Sequence, residues 1–167
     1  LEFRRVLFRS VEFTFADSSN ADEIRASVRD NTRLILTESP ANPTLKLTDI
    51  AAVSEIAKEK GIPHCVDNTF LTPYYQRPLE LGADIALHST TKYMDGHNST
   101  VGGAAIAASQ EHLEAIQFCR NCLGSNMSPQ VAFYTMQGTK TMSTRLEAQS
   151  ANAMKVAEFL QTHNMVA

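Results

Sequence analysis

The sequence has no tryptophan, only three cysteines and no surplus of basic residues. Each shortage excludes something. With 15 Lys and Arg against 18 Asp and Glu, the 167-residue chain carries a net charge of −3 and offers no electrostatic footprint for nucleic acid. No run of about eighteen apolar residues occurs, so no segment reads as a membrane span, and no signal-peptide pattern is found. An odd cysteine count without an export signal fits reduced thiols and a cytoplasmic location better than a disulfide framework. Cys119 and Cys122 form a lone C-x-x-C with no second pair at a ligand spacing. No metal is therefore expected, and both thiols are expected to pack within a helix.

The first ten residues, "LEFRRVLFRS", match neither a helical nor a strand face and are similar to a translated sequencing adapter. They are read as a non-native segment, and the native protein is expected to begin upstream of Val11 with other residues. From Val11 the pattern becomes regular. "VEFTFAD" alternates like a strand, and "SNADEIRASVRD" reads as a short helix capped by Ser19 or Asn20. "TRLILTES" predicts a strand that stops at the turn "SPANPT". Leu47, Ile50, Val53 and Ile56 recur at helical spacing, and Gly61 stands where a C′ glycine ends such a helix.

"IPHCVD", "ADIALHS" and "VGGAAIAA" are further expected strands, with a brief helix or turn at "YYQRPLELG". Ser109 opens another helix, one more runs from Pro129 to Gly138, and a long one starts at Met142 with Leu146, Ala153, Val156 and Leu160 on one face. This last helix has no evident partner, and the C-terminus reads as truncated. Strands alternating with helices predict right-handed βαβ units: an α/β fold, a three-layer α/β/α sandwich with a mainly parallel sheet.

In such sheets ligands bind beyond the carboxyl ends of the strands. Three strand ends carry polar groups: "ESPANP", "DNT" and "HSTTK". If these strands lie together, Asn42, Asp67, Thr69, Ser89, Thr91 and Lys92 converge on one crevice. Lys92 is a Schiff-base candidate, since a neutral amine attacks a carbonyl and burial favours the neutral form. Ser89 and Thr91 offer hydroxyl donors for a phosphate monoester. Asp67 closes a buried strand, where a carboxylate needs a cationic partner such as a protonated pyridine nitrogen. Taken singly, each has an ordinary reading: a solvated lysine, an Asx turn at Asp67, a plain loop at "ESPANP". His88 and His97 flank the motif, but no third ligand accompanies them, so packing or exposure is expected. Tyr74 and Tyr75 are read as stacking or as amphipathic surface residues.

Together, "ESPANPT", "VDNTFLTPYYQRPLELGADIALHSTTKYMDGH" and "VGGAAIA" resemble the Cys/Met-metabolism family of pyridoxal-phosphate enzymes. The resemblance runs from about Val11 to the end. It implies the large domain of a fold-type I pyridoxal-phosphate enzyme over 11–140, with 141–167 leading toward a C-terminal domain. It also implies roles. Lys92 would hold the cofactor and move the substrate's Cα and Cβ protons, and Asp67 would pair with the pyridine nitrogen. Ser89 and Thr91 would bind the phosphate, Asn42 would lie near the phenolic oxygen, and Thr69 would lie against the cofactor. The implied activity is γ-replacement or γ/β-elimination on sulfur amino acids or activated homoserine. The substrate would be a small amino acid, with no nucleic-acid or membrane partner, and the whole protein a homotetramer built as a dimer of dimers.

Family elements before and after this region, including the loop cupping the phosphate and the arginine gripping the substrate carboxylate, have no counterpart in the sequence. An inactive fragment serving only as a folding or interaction unit is therefore the alternative. A nucleotide-binding doubly wound domain is disfavoured, because no G-x-G-x-x-G follows a first strand.

Overall fold

Asn20 opens the first helix of the computed structural model, which describes residues 11–166; the adapter-like segment 1–10 lies outside them. The Asn20 side chain accepts the N–H groups of Asp22 and Glu23, so the cap falls on Asn20 and starts α1 (Ala21–Ser27). Preceding residues 11–17 form no strand, contrary to their alternation. Side chains tie the segment to α1 and to the loop after it. Arg29 donates to Glu12 Oε2 at 3.3 Å and to Thr14 Oγ1, while the Asp17 N–H donates to Glu23.

Strand β1 (Ile35–Glu38) leads through the expected turn to α2 (Ile50–Lys60). The helix starts later than the apolar spacing implies. Asp49 takes the N-cap, accepting the Ala52 N–H at 3.0 Å, and leaves Leu47 outside and 65% exposed. At the other end Gly61 adopts φ 65°, and its N–H and that of Ile62 close the last carbonyls as the sequence predicts.

β2 (His64–Asp67), a short helix α3 (Thr72–Tyr75), a 3-10 turn (Pro78–Leu81) and β3 (Ile85–Ser89) follow. A π-turn (Thr90–Met94) then leads to β4 (Gly103–Ala107), α4 (Gln110–Leu123), α5 (Pro129–Lys140) and α6 (Met142–Gln161). Strand order is β1-β2-β3-β4, with β1, β2 and β3 parallel and β4 antiparallel to β3. The sheet is thus mainly parallel, as the alternation of elements predicts.

Apolar burial holds α1 and α2 on one face. Ile24, Ile35, Val53, Ile56 and Ala57 form one cluster, and Ile50, Val66 and Ala83 a second. Gly138 does not end α5, which continues to Lys140. It is a close-approach residue: a Cβ there would lie 2.1 Å from the Asp95 carbonyl oxygen and 2.4 Å from that of Met94. No helix among the described residues is long and apolar enough to cross a membrane.

Candidate functional site at the strand ends

Register brings the polar strand ends together. Glu38 pairs with Asp67, and Asp67 with Leu87, so Asp67 and Ser89 lie on the same face near one edge. Hydrogen bonds then stitch β2 to β3. The Thr69 N–H donates to Asp67 Oδ1 at 3.0 Å, forming the Asx turn, and Thr69 Oγ1 accepts the Ser89 N–H at 2.8 Å. Thr69 therefore locks two of the sequence-predicted residues into one unit.

Buried Asn68 extends the lock. Its side chain donates to the Gln76 carbonyl at 2.8 Å, and Gln76 Nε2 donates back to Asn68 Oδ1 and on to the Ser39 carbonyl. The loops after β1 and β2 are thereby tied. Sequence reasoning gave neither amide a place in the site: Asn68 stands within "DNT" and Gln76 within "YYQRPLELG", and a contact between two loops gives no local signal.

Asn42 lies on the loop after β1, between two X-Pro bonds that are both cis. Its N–H donates to Glu38 Oε2 at 3.3 Å, and its side chain is exposed.

Lys92 sits in the π-turn, where its φ −91° and ψ −117° depart from helical geometry. The turn closes around it through Asp95 N–H to the Thr90 carbonyl at 2.9 Å and Gly96 N–H to the Lys92 carbonyl at 2.8 Å. Lys92 is exposed, where the sequence reading has it shielded by burial. Thr91 is already engaged: its hydroxyl donates to the Gly102 carbonyl at 3.3 Å and accepts the Gly102 N–H at 3.0 Å. The small residues before β4 matter here, since a Cβ on Gly102 would come within 2.8 Å of Thr90 Oγ1 and Met127 Cε. Ser89 Oγ, by contrast, makes no hydrogen bond among the described residues.

The electrostatics centre on Asp67. Burial pushes the Cys65 thiol up to about 11, and the Asp67 charge adds to it. Burial also holds the His88 imidazole below its ordinary value, with Asp67 opposing. His88 is packed at 4% exposure, as expected, and His97 bonds through Nδ1 to the Asp95 carbonyl at 2.6 Å. Among the described residues no Lys or Arg forms an ion pair with Asp67. A half-buried carboxylate, an uncommitted serine hydroxyl and an amine on one sheet edge are a donor set that suits a ligand with a cationic ring nitrogen, a phosphate and an aldehyde. Pyridoxal phosphate fits that description.

Other expectations fare differently. Cys119 and Cys122 are exposed on α4 and do not pack, because their side of the helix has no cover among the described residues. No cluster of His, Cys, Asp or Glu that could hold a metal occurs among the described residues. Tyr74 and Tyr75 meet edge to face with ring centroids 4.8 Å apart, and their hydroxyls reach Glu147 and Ser150 on α6. A concavity of about 400 Å³ lies over this pair and Arg77 and includes none of the strand-end residues.

Known proteins share this arrangement. Cystathionine gamma-lyase of Bacillus subtilis (strain 168) is 47% identical over 156 residues, covering 93% of this chain and 41% of that protein. Cystathionine beta-lyase of Lactococcus lactis subsp. cremoris (strain MG1363) is 45% identical over 154 residues, covering 92% and 40%. The chain thus spans about two fifths of the length of these relatives. The crystal structure of cystathionine gamma-lyase from Lactobacillus plantarum, complexed with L-serine, superposes with a TM-score of 0.94 at 35% identity, over 98% of this chain and 44% of that one. The sequence profile of the Cys/Met metabolism PLP-dependent enzymes matches residues 3–167. With the sheet, its polar edge and these likenesses in agreement, the chain belongs to the Cys/Met metabolism PLP-dependent enzyme family.

Proposed function

We propose that the whole protein is a pyridoxal-phosphate enzyme of sulfur amino-acid metabolism, carrying out γ-replacement or γ/β-elimination on a small amino acid such as cystathionine or an activated homoserine. The observation that carries this reading is the Asp67–Thr69–Ser89 link, which sets a carboxylate and a serine beside each other, with Lys92 inside the turn that follows β3. When bound, pyridoxal phosphate supplies the electron sink that stabilises a carbanion next to its ring.

The chain's own residues do the rest. Asp67 would pair with the ring nitrogen and keep it protonated. Ser89 Oγ would donate to the phosphate, and Thr91 would join it by giving up its long bond to the Gly102 carbonyl. Asn42 would serve the phenolic oxygen, and Thr69 would lie against the ring. Lys92 would hold the cofactor through its amine, and the same amine would serve to move protons at the substrate Cα and Cβ. Residues 11–140 make up part of the cofactor-binding domain, and 141–167 lead toward a further domain. A cytoplasmic homotetramer is the assembly proposed.

Treatment of the purified chain with pyridoxal phosphate and borohydride tests the site. The Lys92 amine adds to the aldehyde carbon, water leaves, and hydride fixes the product for peptide mapping. Label on Lys92 that disappears in K92A, and that needs a higher cofactor concentration in Asp67→Ala, is the expected result. Label scattered over the exposed lysines of a folded chain would sink the reading.

A further inference from the structure

Arg145, near the start of α6, lies far from the motif in sequence yet touches it in space. Its Nη2 donates to the Tyr93 carbonyl at 2.9 Å and to the Gly138 carbonyl at 2.7 Å, and its Nε donates to Thr141 Oγ1 at 3.1 Å. One guanidinium therefore joins three elements. It closes a last-turn carbonyl of α5, it bonds the N-cap residue of α6, and it grips the carbonyl of the residue next after Lys92.

The surroundings are shaped for it. Gly96 has φ 69°, and a Cβ there would fall 1.9 Å from Arg145 Nη1 and 2.2 Å from Cζ, so the bend after Lys92 leaves room that the guanidinium fills. Gly138 lets α5 approach until its backbone reaches the Met94 and Asp95 carbonyls. Asp95, 1% exposed, accepts the Ser99 N–H at 2.8 Å and the His97 N–H at 3.2 Å, which fixes the far side of the same bend. Among the described residues the buried Nη1 has no hydrogen-bond partner, so the group is held by its other nitrogens at a cost in solvation. A planar fork making bonds in two directions is a task for arginine that lysine performs only in part.

We propose that Arg145 is a positioning residue for the cofactor lysine: by holding the Tyr93 carbonyl against the α5–α6 junction, it fixes the non-helical backbone at Lys92 from which the amine is presented. The proposal rests on Lys92 being the cofactor lysine. Arg145 itself touches neither cofactor nor substrate and acts through the turn.

The experiment compares the chain with R145A and R145K in three measurements. Hydrogen exchange of the Asp95 and Gly96 amides, which close the turn, reads the clamp without any cofactor. Affinity for pyridoxine phosphate, which lacks the aldehyde, reads non-covalent binding. The rate constant for borohydride-trapped imine at Lys92, measured at saturating pyridoxal phosphate, reads presentation of the amine. In R145A the two amides should exchange faster, the affinity should stay within about twofold, and the rate constant should fall about tenfold, the scale expected of a misplaced reacting group. R145K should recover part of that rate, and it carries the comparison if R145A does not fold.

An unchanged rate constant in the folded variant would overturn the proposal. So would affinity and rate constant falling together in both variants, since Arg145 would then be a scaffold residue only. If the unmodified chain fails to label Lys92, the proposed function fails. The exchange measurement then stands apart, showing whether Arg145 clamps the turn at all.

Discussion

Cys65, Cys119 and Cys122 share one chemistry and occupy two environments. Cys65 lies in β2 at 3% exposure, and burial raises its thiol to about 11, so the reactive thiolate is scarce at neutral pH. The other two stand exposed on α4. With a thiol-reactive chromophore at pH 8, two cysteines should react at once, and the third only after denaturant is added. Rapid reaction of all three in the folded chain would place Cys65 nearer solvent than the structure has it. The same scale shows what could be read beforehand. Lys92, Asp67 and Ser89 were legible as candidates because Asp67 and Ser89 end apolar strands and Lys92 stands in the turn after one. Gln76 and Arg145 were not, since their partners come from other elements and nothing local in their sequence announces the contact.

Two glycines separate local from tertiary demands at the scale of elements. Gly61 ends α2 at φ 65° with nothing within 4 Å of an added Cβ, so its requirement is purely conformational. Gly61→Ala should cost about 1 kcal/mol in a urea titration, and Gly61→Asn less, because asparagine tolerates the left-handed region. Gly138 sits mid-helix, where alanine is otherwise the better residue, yet its Cβ would meet the Asp95 and Met94 carbonyls. Gly138→Ala should therefore destabilise by about 1–3 kcal/mol or more, the range of overpacked cores, against the helix-propensity trend. A neutral or stabilising result would mean that α5 does not press on the turn. The contrast explains why the sequence placed α2's end correctly and misplaced α5's. The signal for a C′ glycine is local, whereas a close approach depends on a backbone brought in by the fold.

Stability of the whole molecule should depend on pH through one buried imidazole. His64 is fully buried under α2, with Nε2 2.9 Å from Thr37 Oγ1 and Nδ1 2.9 Å from Ser54 Oγ. Both hydroxyls can accept as well as donate, so protonation breaks no obligatory hydrogen bond. What opposes the charge is burial, which lowers the group from 6.5 to about 4, with the nearby Asp84 carboxylate partly offsetting it. A base with a depressed folded pKa stabilises the fold fully above its unfolded value. That contribution fades as pH falls from about 6.5, where the unfolded chain begins to bind the proton, and is gone below about 4. A gap of this size corresponds to about 3 kcal/mol. His88, also lowered by burial, adds to the slope in the same direction. Asp95 acts only at lower pH: burial raises its carboxyl, but the Ser99 and His97 N–H donors outweigh that and hold it below its ordinary 3.8. Urea midpoints measured from pH 7 to pH 4 should fall steadily, and His64→Gln should remove most of that slope while lowering stability at pH 7. A variant that keeps the full slope would assign the acid sensitivity to other groups and leave His64 a packing residue without electrostatic consequence.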